Sequence, residues 1–296
     1  MGVIRLKGII LAGGAGTRLL PMTSTSSKQL LPIFDKPMVY YPMTILMLSG
    51  IKEILVISTP NDIDDYKNLL GEGDSLGITV EYSVQHRPSG LAQALIIGEE
   101  FLGGECCALI LGDNLFHGRG ISHVLQRAAS VVEKEGGAHL FASMVPDPSR
   151  FGIATLDEKG GIIRIVEKPE EPETNLAVTG LYMYDGTASA RARKIQPSSR
   201  GELEITDLNM SFVEENKAIL STFDRGITWL DTGTPESLHS ASSYVQAVQS
   251  NTGSMIACIE EVAWRMGLID DSELANSVKK YPAGNKYGDY VRSLVG

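Results

Sequence analysis

The chain has 296 residues, 43% of them hydrophobic and 21% charged. That suffices to bury an ordinary core, as one large domain or two small ones, and excludes the disordered class. The formal charge of −10, with no basic stripe, argues against a partner gripped through a nucleic-acid backbone, although a local pocket can still be basic.

Val3–Ala12 reads as a strand with a nearly continuous apolar end. It runs straight into Gly13-Gly14-Ala15-Gly16-Thr17-Arg18. Met38–Gly50 then reads as a helix and Glu53–Thr59 as a strand. Ile63–Leu70, Leu91–Leu102 and Ile121–Glu135 are further helices, and Ile78–Val84, Cys106–Leu111 and Ala138–Val145 further strands. Such alternation predicts a mostly parallel sheet covered on both faces. After Pro146 the pattern loosens. Gly152–Asp157 and Ile162–Glu167 read as a hairpin around Glu158–Gly161, with strands near Leu176–Tyr184 and Ala218–Asp224. From Pro235 onward, helices are broken by Gly253, Gly267 and Pro282.

The expected fold is therefore α/β: a Rossmann-like mixed, mostly parallel sheet flanked by helices, with antiparallel insertions and a helical C-terminal appendage. Ligands in such sheets sit beyond the carboxyl ends of strands. That rule selects Gly13–Arg18, Gln85–Gly90, Gly112–Asn114 and Asp231–Gly233.

No apolar run approaches the roughly 20 residues of a membrane span. No signal pattern opens the chain, and Leu6 stands where a myristoylation motif wants Ser or Thr. Cys106, Cys107 and Cys258 lack CxxC spacing and read as small buried hydrophobes. The expected setting is a reducing cytoplasm. The five histidines form no HExxH or close pair, and Ser89 and Ser254 have no nucleophile-elbow context, so zinc or triad chemistry is not expected.

Three glycines in four positions let a ligand approach backbone N–H groups closely, and Arg18 adds a fixed charge with fork geometry. A plain strand–helix turn has the same composition. Walker A fails for want of its lysine, and the dinucleotide fingerprint fails at Leu19, where its third glycine belongs. Downstream, Lys28-Gln29-Leu30-Leu31-Pro32 offers a lysine that could reach the same phosphates or simply be solvated. Asp113 and Asp231 each close an apolar run, where either a cap or a cation ligand is consistent.

Taken together, Leu11 to Pro21 and Lys28 to Pro32 resemble the signature of sugar-1-phosphate nucleotidylyltransferases, in wording closest to the glucose-1-phosphate thymidylyltransferases. Later segments extend the resemblance over nearly the whole chain. It implies transfer of a dTMP group from dTTP to glucose 1-phosphate, with Mg²⁺ held by Asp113 and Asp231. It implies catalytic roles for Arg18, Lys28, Asp113 and Lys168. Nucleotide contacts would come from Leu11, Gly13, Gly14, Gly16, Thr17, Arg18, Gln85, Pro88, Gly90 and Asp113. A glutamine there can donate and accept at once, which suits the imide edge of thymine or uracil. Sugar contacts would come from Gly152, Glu167, Lys168, Val178, Gly180 and Glu202. Phe151 departs from the family's usual Tyr and removes a hydroxyl.

The resemblance also divides the chain into a transferase domain over 1–240 and a helical appendage over 241–296. The nucleotide half spans about 1–145 and the sugar half about 146–240. Gly118, Glu261, Val262 and Arg265 match a second, regulatory site for dTDP-rhamnose or dTTP, although Glu261 and Arg265 also read as a surface i,i+4 pair. A homotetramer is implied. Alternatives are a UTP-using or other-sugar enzyme of the same class, and a non-catalytic nucleotide-sugar sensor. A dehydrogenase is disfavoured by Leu19.

Overall fold

A computed structural model describes residues 5–14 and 16–295. Its strands are β1 (Lys7–Leu11), β2 (Pro32–Ile33), β3 (Lys36–Pro37), β4 (Glu53–Ser58), β5 (Thr79–Val84), β6 (Cys107–Leu111) and β7 (Asn114–Gly118). There follow β8 (Ala138–Met144), β9 (Gly152–Leu156), β10 (Ile162–Glu167), β11 (Leu176–Tyr184), β12 (Ala218–Thr222) and β13 (Ile227–Asp231). The helices are α1 (Tyr40–Leu48), α2 (Ile63–Leu70), α3 (Gln93–Ile97), α4 (Glu99–Leu102), α5 (Ile121–Glu135) and α6 (Ala188–Ala192). The set ends with α7 (Ile205–Val213), α8 (Pro235–Thr252), α9 (Ile259–Arg265), α10 (Asp271–Ser277) and α11 (Lys286–Arg292). Val3 and Ile4 of the first expected strand, and Ala15 of the glycine-rich turn, lie outside the described residues.

β1 sits between β6 and β4, parallel to both, and β4 pairs in parallel with β5. Four of its five residues are buried, as a central strand covered on both faces requires. Parallel pairing puts the carboxyl ends of β1, β4, β5 and β6 on one edge. On the far side of β6 the direction reverses. β11, buried along all nine residues, runs antiparallel to β6, β8 and β9. β10 extends the sheet through β9, and β12 pairs in parallel with β8. The mixed sheet with antiparallel insertions is thus observed.

Helices cover both faces. α5 buries Ile121, Leu125, Ala128, Ala129 and Val132, one apolar stripe at helical spacing. The single helix expected over Leu91–Leu102 divides at Gly98 into α3 and α4. A Cβ at Gly98 would lie 2.7 Å from Ile9 Cδ1, so the break lets the chain close onto β1. The β7–β13 ribbon and α7 were not among the expected elements.

α8 starts from a Thr234–Ser237 capping box with Pro235 in its first turn, and residue 240 falls inside it. Leu238, Ala241 and Val245 of α8 share a core with Leu19, Ile33, Met38 and Leu115. α9 to α11 contribute Ile259, Ala263, Leu274 and Val291 to the main core beside Ile45 and Leu46 of α1. Cys107 and Cys258 are buried, Cys106 is partly exposed, and none is disulfide-bonded. Among the described residues, no helix is long and apolar enough to cross a membrane.

Candidate active site

The turn after β1 is shaped by close approaches. A Cβ at Gly13 would meet Gln85 Oε1 at 2.6 Å, so only glycine lets the chain pass under that amide. Gly14 and Gly16 have φ of 102° and 57°, backbone states that L side chains disfavour. The Gly16 carbonyl accepts from the Thr23 hydroxyl at 2.9 Å, and Thr17–Leu19 follows as a short helical turn anchored by buried Leu19.

Lys28 sits on a similar turn, held by neighbours rather than by solvent. The Ser27 hydroxyl bonds Gln29 Oε1 at 2.9 Å and the Tyr66 hydroxyl at 2.8 Å, while Gln29 Nε2 donates to the Gly13 carbonyl at 3.3 Å. The lysine segment is thereby tied to the glycine-rich turn. The Lys28 side chain is 7% exposed and its Nζ lies 2.5 Å from Asp113 Oδ2.

Asp113 joins β6 to β7. The β7–β13 ribbon pairs Asn114 with Asp231 and so brings the second carboxylate alongside. The Asp113 carbonyl accepts from Thr232 N–H and from the Thr232 hydroxyl at 2.8 Å. Burial pushes the Asp113 carboxyl up, but the Lys28 ammonium and hydrogen bonds from Lys28 and Asn114 leave it below its ordinary value. Burial and the charge of Asp113 raise Asp231, against the opposing pull of Lys28, Arg150 and Arg18. Neighbouring carboxylates of this kind are the donor type that a hard cation takes. Among the described residues, no group of three or more metal-type side chains exists, so such a cation would need substrate or water oxygens too.

Two cavities meet at Asp113. The smaller, about 160 Å³, is lined by Leu11, Gly13, Gly14, Gln85, Pro88, Gly90 and Glu202 as well as Asp113. Gln85 follows β5 directly, and its Nε2 donates to Gln93 Oε1 at 2.8 Å. Gly90, with φ of 103°, lies so close to Leu203 that a Cβ would sit 2.3 Å from its carbonyl oxygen. This approach presses the 202–203 segment onto the smaller cavity. Glu202, expected with the sugar residues, is therefore found on the side of Gln85. Gly16 and Thr17 shape the turn without lining either cavity.

The larger cavity, about 290 Å³, gathers Arg18, Asp113, Gly152, Glu167, Lys168, Val178, Gly180 and Asp231. Glu167 Oε2 accepts from the Thr206 hydroxyl at 2.7 Å, and the Lys168 ammonium stands 3.5 Å from Glu167 Oε1. Lys168 adopts φ of 42° while its N–H donates to the Phe151 carbonyl, a strained backbone that turns the side chain at this corner. A Cβ on Gly233 would lie 2.9 Å from Asp231 Oδ2 and 3.0 Å from Arg18 Nη2, so only glycine leaves room for both side chains there.

Asn114 falls in the Gly112–Asn114 segment that the strand-end rule selects, but sequence reasoning gave it no role of its own. It is buried, and its Nδ2 donates to Asp113 Oδ1 at 2.9 Å. Its Oδ1 accepts from Trp229 Nε1 at 2.6 Å and from Gly180 N–H at 3.1 Å. Gly180 lies where the β11–β8 register shifts, and a Cβ there would come within 2.6 Å of Asn114 Oδ1. One amide thus locks the metal-type aspartate, the bulge of β11 and a cavity tryptophan. The only signal in sequence is its position next to Asp113. Arg150, Thr206 and Trp229 also line this cavity without having been singled out.

The regulatory candidates lie elsewhere. Gly118 ends β7, and Glu261, Val262 and Arg265 lie on α9, with α1 packed against both elements. Glu261 accepts from Arg265 Nε at 2.7 Å and from the Tyr290 hydroxyl at 2.6 Å. None of the four lines the two cavities that meet at Asp113.

Known proteins resemble this chain in sequence and fold. A family profile described as nucleotidyl transferase matches residues 7–248. A glucose-1-phosphate thymidylyltransferase of Neisseria meningitidis is 49% identical over 290 residues, covering 98% of this chain and 99% of its own. One from Mycobacterium tuberculosis is 43% identical at the same coverages. A Bacillus anthracis crystal structure, provisionally named as the same enzyme and complexed with a sucrose, has 37% identity and a TM-score of 0.74, covering 81% of this chain and 94% of its own. A UDP-glucose pyrophosphorylase complexed with UDP-glucose has 27% identity and a TM-score of 0.73, covering 82% and 99%. With the profile spanning the glycine-rich turn and both carboxylates, the chain belongs to the nucleotidyl transferase family.

Proposed function

We propose that the chain transfers a dTMP group from dTTP to α-D-glucose 1-phosphate, giving dTDP-glucose and pyrophosphate. The observation that carries this reading is Asp113, which lines both cavities, is paired with Lys28, and shares the larger cavity with Asp231 and Arg18. The smaller cavity suits a nucleotide, with Gln85 facing the base. The larger one suits a sugar, with Glu167 on its hydroxyls and Lys168 on its phosphate.

A sugar phosphate is already an anionic nucleophile, so no general base is required. The protein must align two mutually repelling anions and stabilise charge growing on pyrophosphate. Arg18 and Lys28 hold the triphosphate and the leaving group, and Lys168 aims the nucleophile. Asp113 and Asp231 would hold Mg²⁺, which binds through one or two carboxylates plus phosphate and water oxygens. When bound, that ion neutralises charge at the α-phosphate.

The high identity to thymidylyltransferases favours dTTP. The uridylyl relative keeps UTP as a second reading, since one methyl is worth only about 1–3 kcal/mol of discrimination. Pyrophosphate release from dTTP, UTP, CTP, ATP and GTP with glucose 1-phosphate tests both. Release with none would sink both and leave a nucleotide-sugar sensor.

The division at residue 240 is carried forward as a functional one, with 241–296 supplying regulation and assembly. Gly118, Glu261, Val262 and Arg265 then form a feedback site for dTDP-rhamnose or dTTP in a cytoplasmic homotetramer. A dTDP-rhamnose titration without inhibition or a second binding event would remove that site. Light scattering of the purified chain decides the tetramer.

A further inference from the structure

Three cations line the larger cavity: Arg18, Lys168 and Arg150. The reaction proposed above assigns work to the first two and none to the third. Arg150 stands directly before Phe151-Gly152, on the wall that holds the sugar. Its Nη2 nevertheless reaches across to Asp231 Oδ2 at 3.2 Å, on β13. Its guanidinium carbon lies 5.5 Å from the Phe151 ring centroid, and that ring packs 5.0 Å from Trp229, two residues before Asp231. Arg150, Phe151, Trp229 and Asp231 therefore close a loop of contacts across the cavity.

The Arg150 side chain is 38% exposed, and a partly exposed ion pair contributes little to stability. Among the described residues, its Nε and Nη1 make no hydrogen bond, so most donors of the fork are unused. A planar fork binds two oxygens of one phosphate, which a lysine ammonium does not do. The carboxylate it touches is one of the two expected to hold the metal.

We propose that Arg150 is a further substrate-positioning residue, which takes the phosphate of the incoming sugar phosphate on its open edge while its other edge stays on Asp231. It thereby sets the nucleophile's distance from the α-phosphorus. One bond forms, from a sugar-phosphate oxygen to that phosphorus. One breaks, from that phosphorus to the leaving pyrophosphate. Arg150 keeps its protons throughout.

The assignment rests on the proposed reaction, and the experiment separates the two. Arg150→Met keeps the aliphatic stem and removes the fork; Arg150→Lys keeps the charge. Initial rates of the full chain are measured with dTTP and glucose 1-phosphate varied independently. Arg150→Met should raise KM for glucose 1-phosphate about tenfold or more and lower kcat, with KM for dTTP within about twofold. Arg150→Lys should recover part of the loss. KM for glucose 1-phosphate within twofold of the parent, or an equal rise for both substrates, would overturn the assignment. A parent that releases no pyrophosphate would instead sink the proposed reaction. Calorimetric binding of glucose 1-phosphate to parent and Arg150→Met then still decides the residue: weaker binding by the variant supports it, equal binding overturns it.

Discussion

The wall formed by Leu11, Gly13 and Gly14 and the wall formed by Gly152, Glu167 and Gly180 face the same aspartate, but they reach it differently. The first follows a central parallel strand and is shaped by missing side chains, with Gly13 passing under Gln85. The second stands on antiparallel strands and is shaped by polar side chains, Thr206 on Glu167 and Asn114 on Gly180. A wall of backbone can bind the oxygens common to every triphosphate. A wall of directed side chains can distinguish one sugar from another, because an unmatched hydroxyl leaves buried polar groups unpaired.

That contrast can be broken at its hinge first. Lys28→Met should leave Asp113 without its ion-pair partner and lower kcat about a thousandfold, read by pyrophosphate release. A fall under tenfold would mean the pair is structural only. Asn114→Ala serves the sugar wall and removes three hydrogen bonds at once. It should cost about a hundredfold in kcat/KM, mainly through glucose 1-phosphate.

The glycines sharpen the comparison. Gly13→Ala and Gly180→Ala each push a methyl to within 2.6 Å of an amide oxygen. The first should raise KM for dTTP and the second KM for glucose 1-phosphate, each about tenfold. If both substitutions moved the same KM, the two walls would not be separate.

The last effect is one of stability, read apart from turnover. His139, on β8 in the antiparallel half, is buried with Nδ1 lacking a partner among the described residues, while Nε2 meets the Ser221 hydroxyl at 2.8 Å. Burial and the nearby Arg127 charge push it down to about 4. Because its folded value lies below the ordinary 6.5, its contribution is complete above that pH. It is lost as pH falls toward about 4, at a cost of up to about 3 kcal/mol. Thermal melts across that window should show a decline that His139→Phe flattens.

The parallel half was readable in sequence because its signals are contiguous. A strand, three glycines and Arg18 follow each other within a dozen residues, and each later strand ends on its own polar segment. The antiparallel half was readable only in part. Glu167-Lys168 and Gly180 stand out as motifs. The meaning of Asn114 depends on the pairing of β7 with β13, a long-range event that no local pattern encodes. Glu202 shows the same limit. Its motif pointed to the sugar; that it also lines the smaller cavity with Gln85 follows from the contact of Gly90 with Leu203, which no local pattern encodes. Arg150 stayed hidden because a lone arginine beside a turn looks solvated until its partner across the cavity is seen.

The packing of α8 against Leu19 has a consequence for synthesis. Leu19 follows Arg18 directly, and its core partners include Leu238, Ala241, Val245 and Ile256. The segment after Lys28 is fastened to the same helix, with Gln249 bonding Asp35 at 2.9 Å and Lys36 at 3.1 Å. The first residues proposed for catalysis to leave the ribosome thus rest on a helix made roughly two hundred residues later. A nascent chain halted before α8 would carry every residue of the triphosphate turn and lack the platform that holds it.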